Sequence, residues 1–216
     1  MIFTSKDFKS FLSNVVEVIE ENKDYLSELD RKIGDGDHGV TMSIGWQAIN
    51  EKLQNELLNE EDCSKISVSA GRTFLSAVGS SVGPLYATGF LRGAKAIQNK
   101  KELTDENLKD FWIAFILGVQ ERGQAEIGDK TMIDTLLPAK KELELQYGLT
   151  GNLYESFLKA LTVAKKGMES TKEMLSKRGR SSRLGERSIG NQDPGATSAY
   201  LILLTFFQTL KTVQEV

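Results

Sequence analysis

The stretch Asp30-Arg-Lys-Ile-Gly-Asp-Gly-Asp-His-Gly39 gathers three carboxylates, Asp30, Asp35 and Asp37, beside His38, the single histidine of the chain. Gly34, Gly36 and Gly39 are interleaved with them. An ordinary link between helices has no use for three acids that repel one another at neutral pH. A divalent cation removes that conflict. With carboxylate oxygens, one imidazole and no nearby cysteine, the donor set suits Mg²⁺ or Ca²⁺ better than zinc. The glycines free backbone amides, and a helical pattern beginning near Gly39 brings a helix N-terminus to the same place; both favour an anion such as phosphate. In isolation the stretch also reads as a solvated acidic turn, so the other links decide.

Three of those links carry related chemistry. Gly79-Ser-Ser-Val-Gly-Pro84 offers Ser80 and Ser81 in a glycine-rich turn, and the link around Gly123 and Gly128 ends in Lys130 and Thr131. The long polar segment 178–195 brings Arg178, Arg180 and Arg183. Carboxylates hold Mg²⁺, basic groups neutralise phosphate, and glycines let amides approach phosphate oxygens, which together describe a nucleotide polyphosphate site. Neither a Walker A pattern nor the kinase glycine-rich signature occurs, so such a site is built differently from both. Arg183 and Arg187 read as solvated charges or loop anchors.

The elements that position these links are helices. Apolar residues recur at three- and four-residue spacing over 5–29, 39–58, 66–78, 84–94, 105–122, 132–143, 153–177 and 196–213, with no convincing alternating run of strand type. Pro138 falls inside the sixth pattern and is expected to kink it. The reading is an all-α fold, an up-and-down antiparallel eight-helix barrel or bundle forming a single domain over 1–216. In that topology the links between helices one and two, three and four, five and six, and seven and eight lie at one end. All four chemistry-bearing links are these, so that rim is the expected binding site. The abundance of Phe and Leu allows either a packed interior or a lipid-sized cavity.

Composition is that of an ordinary soluble chain: 216 residues, 40% apolar, 26% charged, net charge −3. That charge offers no footprint for nucleic acid or an acidic membrane surface. No apolar run approaches the ~18 residues of a membrane span, the N-terminus is too polar for a signal peptide, and Cys63 has no partner for a disulfide. A cytoplasmic protein is expected.

Four ordered motifs, Gly34-Asp-Gly-Asp-His-Gly39, Gly83-Pro-Leu-Tyr86, Gly128-Asp-Lys-Thr-Met132 and Leu184-Gly-Glu-Arg-Ser-Ile-Gly-Asn-Gln-Asp-Pro-Gly-Ala-Thr-Ser198, resemble the nucleotide-binding L subunit or domain of dihydroxyacetone kinases. The resemblance implies an eight-helix barrel binding ADP or ATP with Mg²⁺, two ions, at one rim. Asp30, Asp35 and Asp37 are then the metal ligands. His38, Gly39, Val40 and Thr41 lie at the phosphates, with Ser80, Ser81 and Val82 in a second phosphate loop. Gly123, Thr131 and Met132 line the nucleoside, and Arg180 with Asp193, Pro194 and Gly195 closes the site. Arg180 and His38 are the implied catalytic groups, Arg180 being favoured over Arg178. Val82 stands where the family usually has a small hydroxyl residue.

At this length the chain resembles the free-standing subunit of the phosphotransferase-system form, in which a phosphoprotein recharges bound ADP and the γ-phosphoryl group passes to dihydroxyacetone on a separate substrate-binding subunit. The alternative is an ADP–Mg²⁺-sensing module that contacts a transcriptional regulator without catalysing transfer. A Ca²⁺-binding scaffold lacks the EF-hand ligand ladder.

Overall fold

The computed structural model describes residues 1–215. Eight α-helices follow one another: α1 (Ser5–Ile33), α2 (His38–Asn55), α3 (Cys63–Ala77), α4 (Val82–Ala96), α5 (Asp105–Gly123), α6 (Ile133–Thr150), α7 (Leu153–Ser170) and α8 (Pro194–Gln214). Each packs against the next, and α8 returns to pack on α1, closing the ring. The expected all-α barrel is what forms. Two short strands, β1 (Phe3–Thr4) and β2 (Glu102–Leu103), pair antiparallel, a ribbon too brief to show alternation in the sequence.

The ring closes because each helix turns an apolar stripe inward. Phe8, Phe11, Leu12, Val15 and Ile19 of α1 are buried. Trp112 of α5 stands at the centre, with ring centroids 6.0 Å from Phe11, 5.9 Å from Phe157 and 5.0 Å from Phe206. Such tilted and edge-on contacts add to the burial of large rings. Between Trp112, Phe157, Leu161 and Leu203 there is only a void of about 10 Å³. This part of the barrel is a packed core, not a lipid chamber.

Several boundaries differ from the sequence reading. α1 runs a turn further than expected, to Ile33, so Asp30 sits on the helix and not in the link. α7 ends at Ser170 instead of continuing to residue 177, and the chain passes through short 3-10 turns at Thr171–Glu173 and Arg180–Ser188 before α8. α8 itself begins at Pro194, with proline in its first turn, where a missing amide costs nothing. Pro138 lies inside α6, which continues through it from Ile133 to Thr150. Cys63 is buried, and burial pushes its thiol up to about 12, which keeps it in the weakly nucleophilic thiol form. Among the described residues, no helix is long and apolar enough to cross a membrane.

Candidate functional site

The first link is shaped by Asp30. One oxygen of its carboxylate accepts the amides of Asp37 at 2.9 Å and His38 at 3.1 Å, drawing the link back onto the end of α1. Gly36 makes the reversal with a φ of +80°, a region that side-chain-bearing residues avoid. As a result, oxygens of Asp30, Asp35 and Asp37 lie within 4.8 Å of one another, the group among the described residues best placed to hold a metal ion. Partial burial, and then the charge of Asp30, hold the carboxyl of Asp37 above its usual range. Arg180, from the far link, lays its guanidinium against Asp35 and 3.3 Å from Asp37. A positive charge is thus what this cluster attracts, and an all-oxygen donor set fits a hard divalent ion such as Mg²⁺.

A cavity of about 650 Å³ opens beside the acids, within the size range of small-ligand sites. All four links of this rim line it. The first contributes Asp30, Asp35, Asp37 and His38; the second Ser80, Ser81 and Val82; the third Gly123, Thr131 and Met132; the fourth Arg180, Asp193, Pro194 and Gly195. Pro84, Leu85, Val119, Ala125 and Ile133 add an apolar wall that the sequence reading did not include. Gly39, Val40 and Thr41 do not border it. Gly39 is pressed against α1, where a Cβ would collide with the Lys23 carbonyl and lie 2.6 Å from the Ser27 hydroxyl. Val40 is exposed and Thr41 half-buried.

Two helix starts at this rim, those of α2 and α4, are open. Asp37 precedes α2 and Ser81 precedes α4, yet neither side chain caps its helix. In α2 the amides of His38 and Thr41 are taken by Asp30 and by the carbonyl of Asp37, whereas those of Gly39 and Val40 have no acceptor among the described residues. The Ser80 hydroxyl, next to the start of α4, is buried without a partner. Val82 packs partly on the core while bordering the cavity, which explains how an apolar side chain is tolerated there. Helix N-termini in this state bind anions through free amides and the helix dipole.

The third and fourth links hold each other. Asp134 accepts the amides of Gly128 at 2.6 Å and Thr131 at 2.7 Å; the Thr131-x-x-Asp134 spacing is a capping signal that the sequence reading passed over. Lys130, counted above among the cations of the rim, is 1% exposed and points into the protein. Its ammonium donates to the carbonyls of Thr171 (2.7 Å), Met174 (3.2 Å), Ser188 (2.7 Å) and Asn191 (2.6 Å). It is a pin for the last link and not a free charge. Arg178 is committed to Asp129 at 3.1 Å, so Arg180 is the arginine that reaches the acids. Arg183 and Arg187 are exposed surface charges.

The largest pKa shifts among the groups bordering the cavity are those of Asp193 and His38. Asp193 caps α8 by accepting the Ala196 amide at 2.7 Å, and burial pushes its carboxyl up to about 7 against the lowering effect of that amide. His38 is lowered to about 4 by burial, which outweighs the attraction of Asp30, so its ring is neutral at physiological pH. Its Nε2 lies 2.9 Å from the hydroxyl of Ser198 on α8, the last residue of the fourth motif, to which the sequence reading gave no role.

Residues 32–208 match the DAK2 domain. The chain belongs to the DAK2-domain family. Within it, similarity is high to the ADP-binding subunit of PEP-dependent dihydroxyacetone kinase 2 from Listeria innocua, 35% identical over 98% of this chain and 97% of the relative. The corresponding subunit from Escherichia coli is 38% identical over 90% of this chain and 91% of its own length. Both relatives are named as ADP-binding subunits of a PEP-dependent dihydroxyacetone kinase, and the resemblance read from the motifs is borne out. The fold matches the dihydroxyacetone kinase of C. freundii, solved in complex with AMP-PNP and Mg²⁺, with a TM-score of 0.69 and 24% identity; 93% of this chain is covered and 33% of that one.

Proposed function

We propose that this DAK2-family chain is the ADP–Mg²⁺-carrying subunit of a phosphoenolpyruvate-dependent dihydroxyacetone kinase, working as a single domain over residues 1–216. In this reading a phosphoprotein of the phosphotransferase system recharges the bound ADP, and the γ-phosphoryl group passes to dihydroxyacetone on a separate substrate-binding subunit. The observation that carries it is the meeting, in one cavity, of three converging carboxylates, two open helix starts and an apolar wall. The names of the full-length relatives support the same reading.

Asp30, Asp35 and Asp37 would hold the metal, one or two Mg²⁺ ions. The two uncapped helix starts, at His38 and Val82, with Ser80 and Ser81, receive phosphate oxygens. Thr41 supports that turn from α2. The apolar wall, with Gly123, Thr131 and Met132, takes the nucleoside, and Asp193, Pro194 and Gly195 close the cavity from α8. When bound, the metal–nucleotide unit supplies the phosphoryl group and much of the charge neutralisation that its transfer needs. Arg180 adds a guanidinium to that neutralisation, and His38 stands beside it. No nucleophilic side chain is required, because positioning and electrostatics carry such transfers.

The test is chemical. Purified protein is denatured, the precipitate removed, and the supernatant assayed for nucleotide by anion exchange and for total Mg²⁺. Near-stoichiometric ADP is expected. Finding none, even after incubation with ADP and Mg²⁺, would overturn the reading. Turnover on reconstitution with the substrate subunit and the phosphoryl donor separates a relay from a purely regulatory module.

A further inference from the structure

We propose that Ser198 is a positioning residue that fixes the tautomer of His38, so that this histidine meets the nucleotide–metal unit as a hydrogen-bond acceptor and not as a donor. The proposal deepens the function proposed above and rests on it for the identity of the ligand.

Ser198 is fully buried on α8, with its hydroxyl 2.9 Å from Nε2 of His38 and 3.1 Å from the carbonyl of Gly195. A carbonyl can only accept, so the serine proton goes to Gly195. The hydroxyl then has only lone pairs to offer, and its contact with Nε2 requires the proton to be on the imidazole. Ser198 thereby donates within α8 and accepts from α2.

With Nε2 held in the wall, Nδ1 is the nitrogen that His38 has left for the cavity it borders, and in the neutral ring it is a bare lone pair. Phosphate oxygens are acceptors too, so Nδ1 does not pair with them. Its partner is a donor: water in the hydration shell of the cation held by Asp30, Asp35 and Asp37, since Mg²⁺ keeps several of its waters. The phosphate oxygens fall to the uncapped helix starts of the rim, and His38 orients the shell around the metal.

His38 is the single histidine of the chain, so protein labelled with ¹⁵N-histidine yields one imidazole, and a two-bond ¹H–¹⁵N spectrum reads its tautomer directly. In the wild type at neutral pH we expect a protonated Nε2 and a bare Nδ1, without ligand and again with ADP and Mg²⁺. Ser198→Ala removes the acceptor; the expected spectrum is a mixture of tautomers, with ADP retained about three- to tenfold less tightly, the effect of one hydrogen bond. Ser198→Thr, which keeps the hydroxyl, is expected to restore both readouts. A proton on Nδ1 in the wild type, or a Ser198→Ala spectrum identical to the wild type's, would overturn the proposal. The expected tautomer in a protein that binds no ADP would overturn the carrier function and leave the Ser198–His38 pairing supported.

Discussion

At the end of the barrel away from the cavity, every helix begins with a side chain bonded to its own first turn: Thr4 for α1, Asp62 for α3, Thr104 for α5 and Asn152 for α7. At the cavity end, α2 and α4 begin behind Asp37 and Ser81, residues of the same capping types, and neither caps. α6 has a partial substitute in the Thr131 hydroxyl, which takes the Ile133 amide, and α8 alone has a full side-chain cap, from Asp193. Since residue type is shared, the difference lies in where the side chains are drawn: Asp37 to the acidic cluster and Arg180, Ser81 to the cavity wall. One end satisfies its backbone from within. The other leaves donors for something that arrives from outside.

Substitutions can break this contrast. The largest effect is expected from Asp35→Ala and Asp37→Ala, which should abolish Mg²⁺-dependent ADP retention, a loss of at least about a hundredfold, while helical content stays unchanged. Equilibrium dialysis with and without Mg²⁺ measures it, and unchanged retention in both variants would remove the metal assignment. Asp193 gives an intermediate effect through pH. Its folded value of about 7 lies above the unfolded ~3.9, so its contribution to stability is complete below about pH 4 and is lost as pH rises through 7. Asp193→Asn keeps an oxygen for the Ala196 amide. It should flatten the stability profile over that window, where the wild type loses roughly 1 kcal/mol per pH unit from this group. Urea midpoints across the range provide the comparison. The smallest effect belongs to the other end: Asp62→Ala or Thr104→Ala should cost about 1 kcal/mol of unfolding free energy and leave ADP retention untouched. A change in retention would mean that the two ends are coupled.

Much of this was legible in the sequence, for identifiable reasons. Apolar spacing gave the eight helices because each buries one stripe against a closed ring, and alternating direction placed the four polar links on one rim. The acids of the first link were visible as like charges with no structural purpose. What escaped depends on geometry that residue type does not encode. Lys130 in a glycine-rich link looks the same whether its ammonium faces solvent or the protein; only its burial and its φ of +63° reveal the difference. Ser198 sits within an apolar helix, and its meaning comes from His38 at the start of α2, remote in the chain. The extra turn of α1 that carries Asp30 includes only Ile33 as an inward residue, too little to show a period.

The way Lys130 grips the last link bears on how that link can change. All four of its acceptors are main-chain carbonyls, spread from Thr171 to Asn191. Such an anchor is blind to the side chains of the segment it holds. The link can therefore drift in sequence while keeping its course over the cavity, so that an insertion or a run of replacements there can retune what docks on this face without rebuilding the barrel beneath.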